Sequence, residues 1–193
     1  MQPMIKLYAF LGNYGREHSG NRHNVGWHFL SHLGYDSSLS WERKFKGKYA
    51  WMDTAPGRVW FLLPETFMNN SGESIAELAR FFRIDAGEIL AVHDELEMPL
   101  GSFGFKFSGG LGGHNGLRSM EKHLGTRDFA RLRFGIGRPD HPDVAGYVLS
   151  DFSKDEREKL VFSVFPKAKE AFALCLESGF EAVGEKYKKV SCL

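Results

Sequence analysis

Apolar and polar positions along the chain alternate between two periods. Ile5 to Leu11 is a short apolar stretch that runs into Gly12-Asn13-Tyr14-Gly15, and it reads as a buried strand closing on a turn. Val25, Phe29 and Leu33 then recur at helical spacing between Asn21, a cap-forming residue, and Gly34, a stop. Residues 48–54 and 58–63 are rich in aromatic and aliphatic side chains, and Ala55-Pro56-Gly57 separates them, which predicts a hairpin. Ile75, Leu78, Ala79 and Phe82 form a helical stripe behind Asn70 and Glu73, a pair spaced like a capping box.

The second half repeats the pattern. Glu88 to Val92 predicts a short strand that delivers His93-Asp94-Glu95 at its carboxyl end. Phe103, Phe105 and Phe107 alternate with Gly104 and Lys106 at strand period. A glycine-rich loop, 109–116, leads into a short helix stripe of Leu117, Met120 and Leu124 that stops at Gly125. Residues 130–136 alternate again, with Arg131 and Arg133 on one face and Leu132, Phe134 and Ile136 on the other. From Ser153 onward the pattern is helical, with Pro166 expected to kink or divide it. Strands alternating with helices predict one α/β domain over residues 1–193, its sheet covered by helices and made mixed by the hairpin.

Composition narrows the class. With 193 residues, 42% hydrophobic and 25% charged, the chain can bury a full core and is not a mainly disordered one. Basic and acidic residues nearly cancel, at 25 against 24, so contact with nucleic acid must come from a local patch. Such a patch exists in sequence: residues 106–138 carry net +5, against net −5 over residues 73–97. Lys106, Arg131 and Arg133 fall on strands beside the glycine loop, where they could clamp a phosphate. Two isolated cysteines, Cys175 and Cys192, give no disulfide framework or zinc motif. The first eleven residues are too short for a signal core, and no apolar run has the length of a membrane span, so the expected setting is the cytoplasm.

Chemistry-bearing residues collect where the predicted strands end. These are Asn13, His23, Asn69, Asp94, His114 and Asn115. In open α/β sheets ligands bind outside the carboxyl ends of strands, so these segments could share one crevice. A neutral His23 could serve as a general base, with Asp94 accepting from one ring nitrogen and the other left to take a proton from water. On spacing alone His23 reads more simply as helping to cap a helix, Asp94 as capping a turn and each asparagine as an ordinary turn or cap residue, and the glycine loop matches neither common phosphate-binding fingerprint. No G-x-S-x-G is present, and His28 and His32, though spaced like metal ligands, lack a third partner.

Six ordered segments are similar to the bacterial-type peptidyl-tRNA hydrolase family. They are Leu11-Gly12-Asn13-x-Gly15, residues 21–26 (NRHNVG), residues 64–72 (PETFMNNSG), residues 93–96 (HDEL), residues 109–117 around His114-Asn115, and residues 131–139 (RLRFGIGRP). Where the family usually has Pro, Tyr and Thr, this chain has Tyr14, His18 and Asn21. The resemblance implies a three-layer α/β/α domain with a twisted mixed sheet. It implies hydrolysis of the ester between a peptide and the terminal ribose of tRNA, with no metal or other cofactor, by a monomer. Position by position it makes His23 the base and Asp94 its orienting partner. Asn13 and Asn69 would hold the peptide, Met68 would line the site, and Asn115 would place the water with His114 nearby. Lys106 and Arg133 would clamp the phosphate of the tRNA acceptor end. Two other readings stay open: a non-catalytic RNA-binding relative, and a hydrolase of small esters.

Overall fold

The structure, a computed structural model, describes residues 2–193. Its centre is an eight-stranded mixed sheet. Strand β1 (Leu7–Phe10) pairs in parallel with β4 (Arg58–Pro64) on one side and β5 (Ile89–Glu95) on the other. Beyond β4 lie β3 (Gly47–Asp53) and β2 (Glu42–Lys44), both antiparallel to their neighbours. Beyond β5 come β7 (Ala130–Gly135), parallel to it, then antiparallel β6 (Ser102–Phe107) and the two-residue β8 (Val190–Ser191).

Strand alternation splits the core in two. Tyr8, Phe10, Leu90, Val92, Leu132 and Phe134 face one side and pack with α1 (Val25–Leu33) and α7 (Phe165–Ser178). Phe29 of α1 is fully buried there, its ring 4.9 Å from Phe134, 5.5 Å from Phe165 and 5.7 Å from Phe172. Leu7, Ala9, Leu62, Ile89 and Ala91 face the other side, under α3 (Ser71–Phe81) and α4 (Asn115–Leu124). Helices on both faces of one sheet give the expected α/β/α layering. Short α2 (Tyr35–Ser38) follows Gly34, which adopts the left-handed conformation (φ 75°) that stops α1.

Several local expectations give way to tertiary contacts. The Asn70–Glu73 capping box does not form; Lys46 Nζ takes the Glu73 carboxylate at 2.8 Å, and Asn70 makes no side-chain cap bond. Asn21 precedes a 3-10 turn, Arg22–Asn24, but caps nothing with its side chain, which donates to Asp151 Oδ1 at 2.7 Å. Strand β5 runs further than the apolar run, so His93 and Asp94 stand within it. The helical path continues through Pro166: between α6 (Lys154–Lys159) and α7, residues Leu160–Val164 wind as a π-helix, and Pro166 falls in the first turn of α7, where its missing N–H is harmless. Two further short helices are α5 (Val144–Val148) and α8 (Glu181–Gly184). No helix among the described residues is long and apolar enough to cross a membrane.

Candidate functional site

The parallel strands β1, β4 and β5 release the chain on the same side of the sheet, and the polar segments meet there. His23 comes from the 3-10 turn ahead of α1, Asp94 from the end of β5, and His114 and Asn115 from the glycine loop as it enters α4. These four line a cleft of about 170 Å³ with Glu95, Leu96 and, from α5, Val144, Ala145 and Val148.

Hydrogen bonds fix the proton of His114 and orient His23. His114 Nδ1 accepts from the backbone N–H groups of Gly116 (3.1 Å) and Leu117 (3.3 Å), capping α4. Its proton must therefore sit on Nε2, which donates to Asp94 Oδ1 at 2.8 Å. His23 Nδ1 donates to the same carboxylate, at 2.8 and 2.9 Å from its two oxygens. Nε2 of His23 has no hydrogen-bond partner in the protein among the described residues. Burial pushes the Asp94 carboxyl up, but the two imidazoles and their hydrogen bonds outweigh it and hold the group well below the ordinary carboxylate range. An ionised Asp94 with two fixed donors and a free His23 Nε2 is an arrangement able to activate water.

His23 Nδ1, Asp94 and His114 Nε2 also lie close enough to act as three metal ligands. The chemistry of His114 opposes this. A metal on Nε2 would require a proton on Nδ1, which already faces two N–H donors. The trio is committed to its own hydrogen bonds.

Asn13, Met68 and Asn69 flank the cleft rather than form its wall. The Asn13 N–H donates to Asn24 Oδ1 (2.7 Å), and Asn24 Nδ2 returns a bond to Asn13 O (3.0 Å). Asn13 Oδ1 accepts from Met68 N at 2.6 Å, so its amide nitrogen is the end left for a ligand. Met68 is buried, its sulfur close against Gly116 at the head of α4, whereas Asn69 is exposed. Lys106 and Arg133 share a separate open groove of about 750 Å³ at the β6 edge, with Phe105, Phe107 and Lys188. One Arg133 nitrogen already donates to Lys188 O at 2.8 Å. Arg131 departs from expectation: it is 1% exposed, and its guanidinium points into the glycine loop, not into the groove. His28 is tied to Ser19 O at 2.6 Å, which fits a helix-face residue.

Sequence reasoning passed over two contributors. Arg22 donates to Ser150 Oγ (2.7 Å) and Asp151 O (2.6 Å), pairs with both oxygens of Glu156 (3.0 and 2.9 Å), and lies over the Tyr147 ring at 4.5 Å. It thereby ties the cleft wall that carries α5 to the turn that carries His23. The wall itself, only five helical residues long, has too short a pattern to be read.

Comparison with known proteins agrees on one family. The family model described as peptidyl-tRNA hydrolase matches residues 7–192. A peptidyl-tRNA hydrolase of Neisseria meningitidis is 47% identical over 163 residues, covering 83% of this chain and 85% of the relative. One from a Geobacter species is 41% identical over 175 residues, covering 90% and 93%. The crystal structure of peptidyl-tRNA hydrolase from Acinetobacter baumannii superimposes with a TM-score of 0.85 at 34% identity, covering 97% of this chain and 99% of that one.

Proposed function

The chain belongs to the peptidyl-tRNA hydrolase family and hydrolyses peptidyl-tRNA, and we propose that His23, oriented by Asp94, is the base that activates the water. The observation that carries this is the shared carboxylate: Asp94 accepts from both His23 and His114, which orients the His23 ring with Nε2 toward the cleft.

In this reading the water lies between His23 Nε2 and the ester carbonyl, placed by the Asn115 side chain at the head of α4. His23 Nε2 takes a proton as the water oxygen bonds to the carbonyl carbon. Asp94 stays ionised and stabilises the imidazolium through the Nδ1–H bond. The tetrahedral adduct then collapses: the bond to the ribose oxygen breaks, and His23 returns the proton to that oxygen. Free peptide and free tRNA result, with no acyl-enzyme.

Asn13 and Asn69 would hold the peptide backbone, with Met68 fixing Asn13 from beneath. Lys106 and Arg133 would grip an acceptor-end phosphate in the groove at the β6 edge. We place the enzyme, acting as a monomer, in the cytoplasm. Peptide release from an N-blocked aminoacyl-tRNA tests the assignment. His23→Ala should keep its fold and lose about 10²–10⁴-fold in rate; retained release would defeat it.

A further inference from the structure

Arg131 is among the bulkiest fully buried side chains of the described residues. It sits on β7, between β5 and β6. Its guanidinium donates to Gly110 O (2.6 Å), Gly109 O (3.1 Å) and Arg127 O (3.2 Å) and lies 4.8 Å from the centre of the Phe129 ring. No carboxylate among the described residues pairs with it. Burial, with Arg127 and Arg133 nearby, brings it down to about 10, so it remains charged at neutral pH. A buried charge without a counter-ion is costly unless backbone dipoles replace water around it.

The glycine loop has the shape to supply those dipoles. Ser108 (φ 60°), Gly109 (95°), Gly112 (59°) and Gly113 (73°) all have positive φ, and glycine adopts such angles at little cost. A loop so rich in glycine is also entropically loose when free. Yet it leads directly into His114, which is held against Asp94, and into Asn115, which lines the cleft.

We propose that Arg131 is a positioning residue for the hydrolysis, not a tRNA contact: anchored on the central sheet, its guanidinium holds the Gly109 and Gly110 carbonyls and so fixes His114 and Asn115 relative to His23 and Asp94. The inference rests on the site reading above.

The test is steady-state peptide release from N-blocked aminoacyl-tRNA over a range of salt concentrations. An ammonium cannot reach all three carbonyls, so Arg131→Lys should lower kcat by about tenfold to a hundredfold while KM and its salt slope stay at the parent's values. Arg131→Ala should regain part of its kcat when millimolar guanidinium is added. The amides of residues 112–117 should exchange faster in Arg131→Lys while those of β1 and β5 do not. A raised KM, a salt slope flattened by about one unit and an unchanged kcat would instead make Arg131 a phosphate contact and overturn the proposal. Parent-like kcat would overturn it too. Leu111→Ala loosens the same loop from its other packing contact and guards against simple unfolding. It should lower kcat at constant KM, and no change would count against the proposal. His23→Ala runs alongside: activity there would defeat the base assignment alone, and amide exchange would still judge the role of Arg131 in holding the loop.

Discussion

Asp94→Asn is the sharpest probe of the site, because His114 dictates what the new amide must do. His114 Nδ1 is committed as an acceptor to two backbone N–H groups, so Nε2–H must donate, and it points at Asp94 Oδ1. In the variant the amide oxygen is therefore drawn to that position. The amide NH2 then occupies the Oδ2 position, 2.9 Å from His23 Nδ1, beside the amide oxygen at 2.8 Å from the same nitrogen. A donor now crowds Nδ1, and the carboxylate charge that stabilises the imidazolium is gone, so His23 becomes a weaker base at Nε2. Loss of base catalysis is worth about 10²–10⁴-fold, or roughly 3–5 kcal/mol at 1.36 kcal/mol per tenfold. Single-turnover peptide release with saturating enzyme isolates the chemical step from tRNA binding. The variant should bind tRNA as the parent does and release peptide at least a hundredfold more slowly. Removing His114 as well leaves the amide oxygen to His23 alone. The double variant Asp94→Asn/His114→Phe should then be no slower than Asp94→Asn alone. A single variant within about threefold of the parent would falsify the role given to the Asp94 carboxylate.

Other expectations follow from separate parts of the molecule. Lys106→Ala and Arg133→Gln should each raise KM for the tRNA substrate, lower the salt slope of binding by about one unit and leave single-turnover release at saturation nearly unchanged. Burial and the neighbouring His114 hold His93 well below the ordinary imidazole value, so its contribution to stability is full above about pH 6.5 and drains away as pH falls below it. Thermal melts should therefore show Tm falling from pH 6.5 toward 5, with a shallower fall in His93→Phe. Asp94, held below its ordinary value, contributes in full above about pH 4 and loses that contribution only in stronger acid. Phe29→Ala should destabilise by about 3–5 kcal/mol in denaturant melts, while the folded fraction keeps parent kcat.

The sheet was legible because alternation and helical stripes report burial directly. Phe103, Phe105 and Phe107 lie on β6, and Leu132 and Phe134 turn into the core as their spacing predicts. The pairing of His23 with Asp94 was legible for a different reason: strand ends put them near one crevice but left capping roles open, and the six ordered segments singled them out as the pair that meets across 71 positions. What the sequence concealed were long-range partners. Arg131 shares an alternating face with Arg133, and two arginines two residues apart read as a solvated pair. Only the folded glycine loop shows that one is roofed over by carbonyls. Asn70 and Glu73 have the spacing of a cap, but Lys46 offers Glu73 a charge and outcompetes it. Arg22 finds Glu156 across 134 positions, a distance at which local pattern says nothing.

That last clasp has a consequence for synthesis. Strand β1 emerges first, yet both of its neighbours in the sheet, β4 and β5, are made much later. Arg22 cannot close on Ser150, Asp151 and Glu156 until those residues have left the ribosome. Closing such wide loops is the slow part of folding. A truncated product ending before residue 150 would carry His23, Asp94 and His114 but lack the clasp that fastens the α5 wall. An enzyme that acts on the products of translation thus completes its own cleft only near the end of being translated.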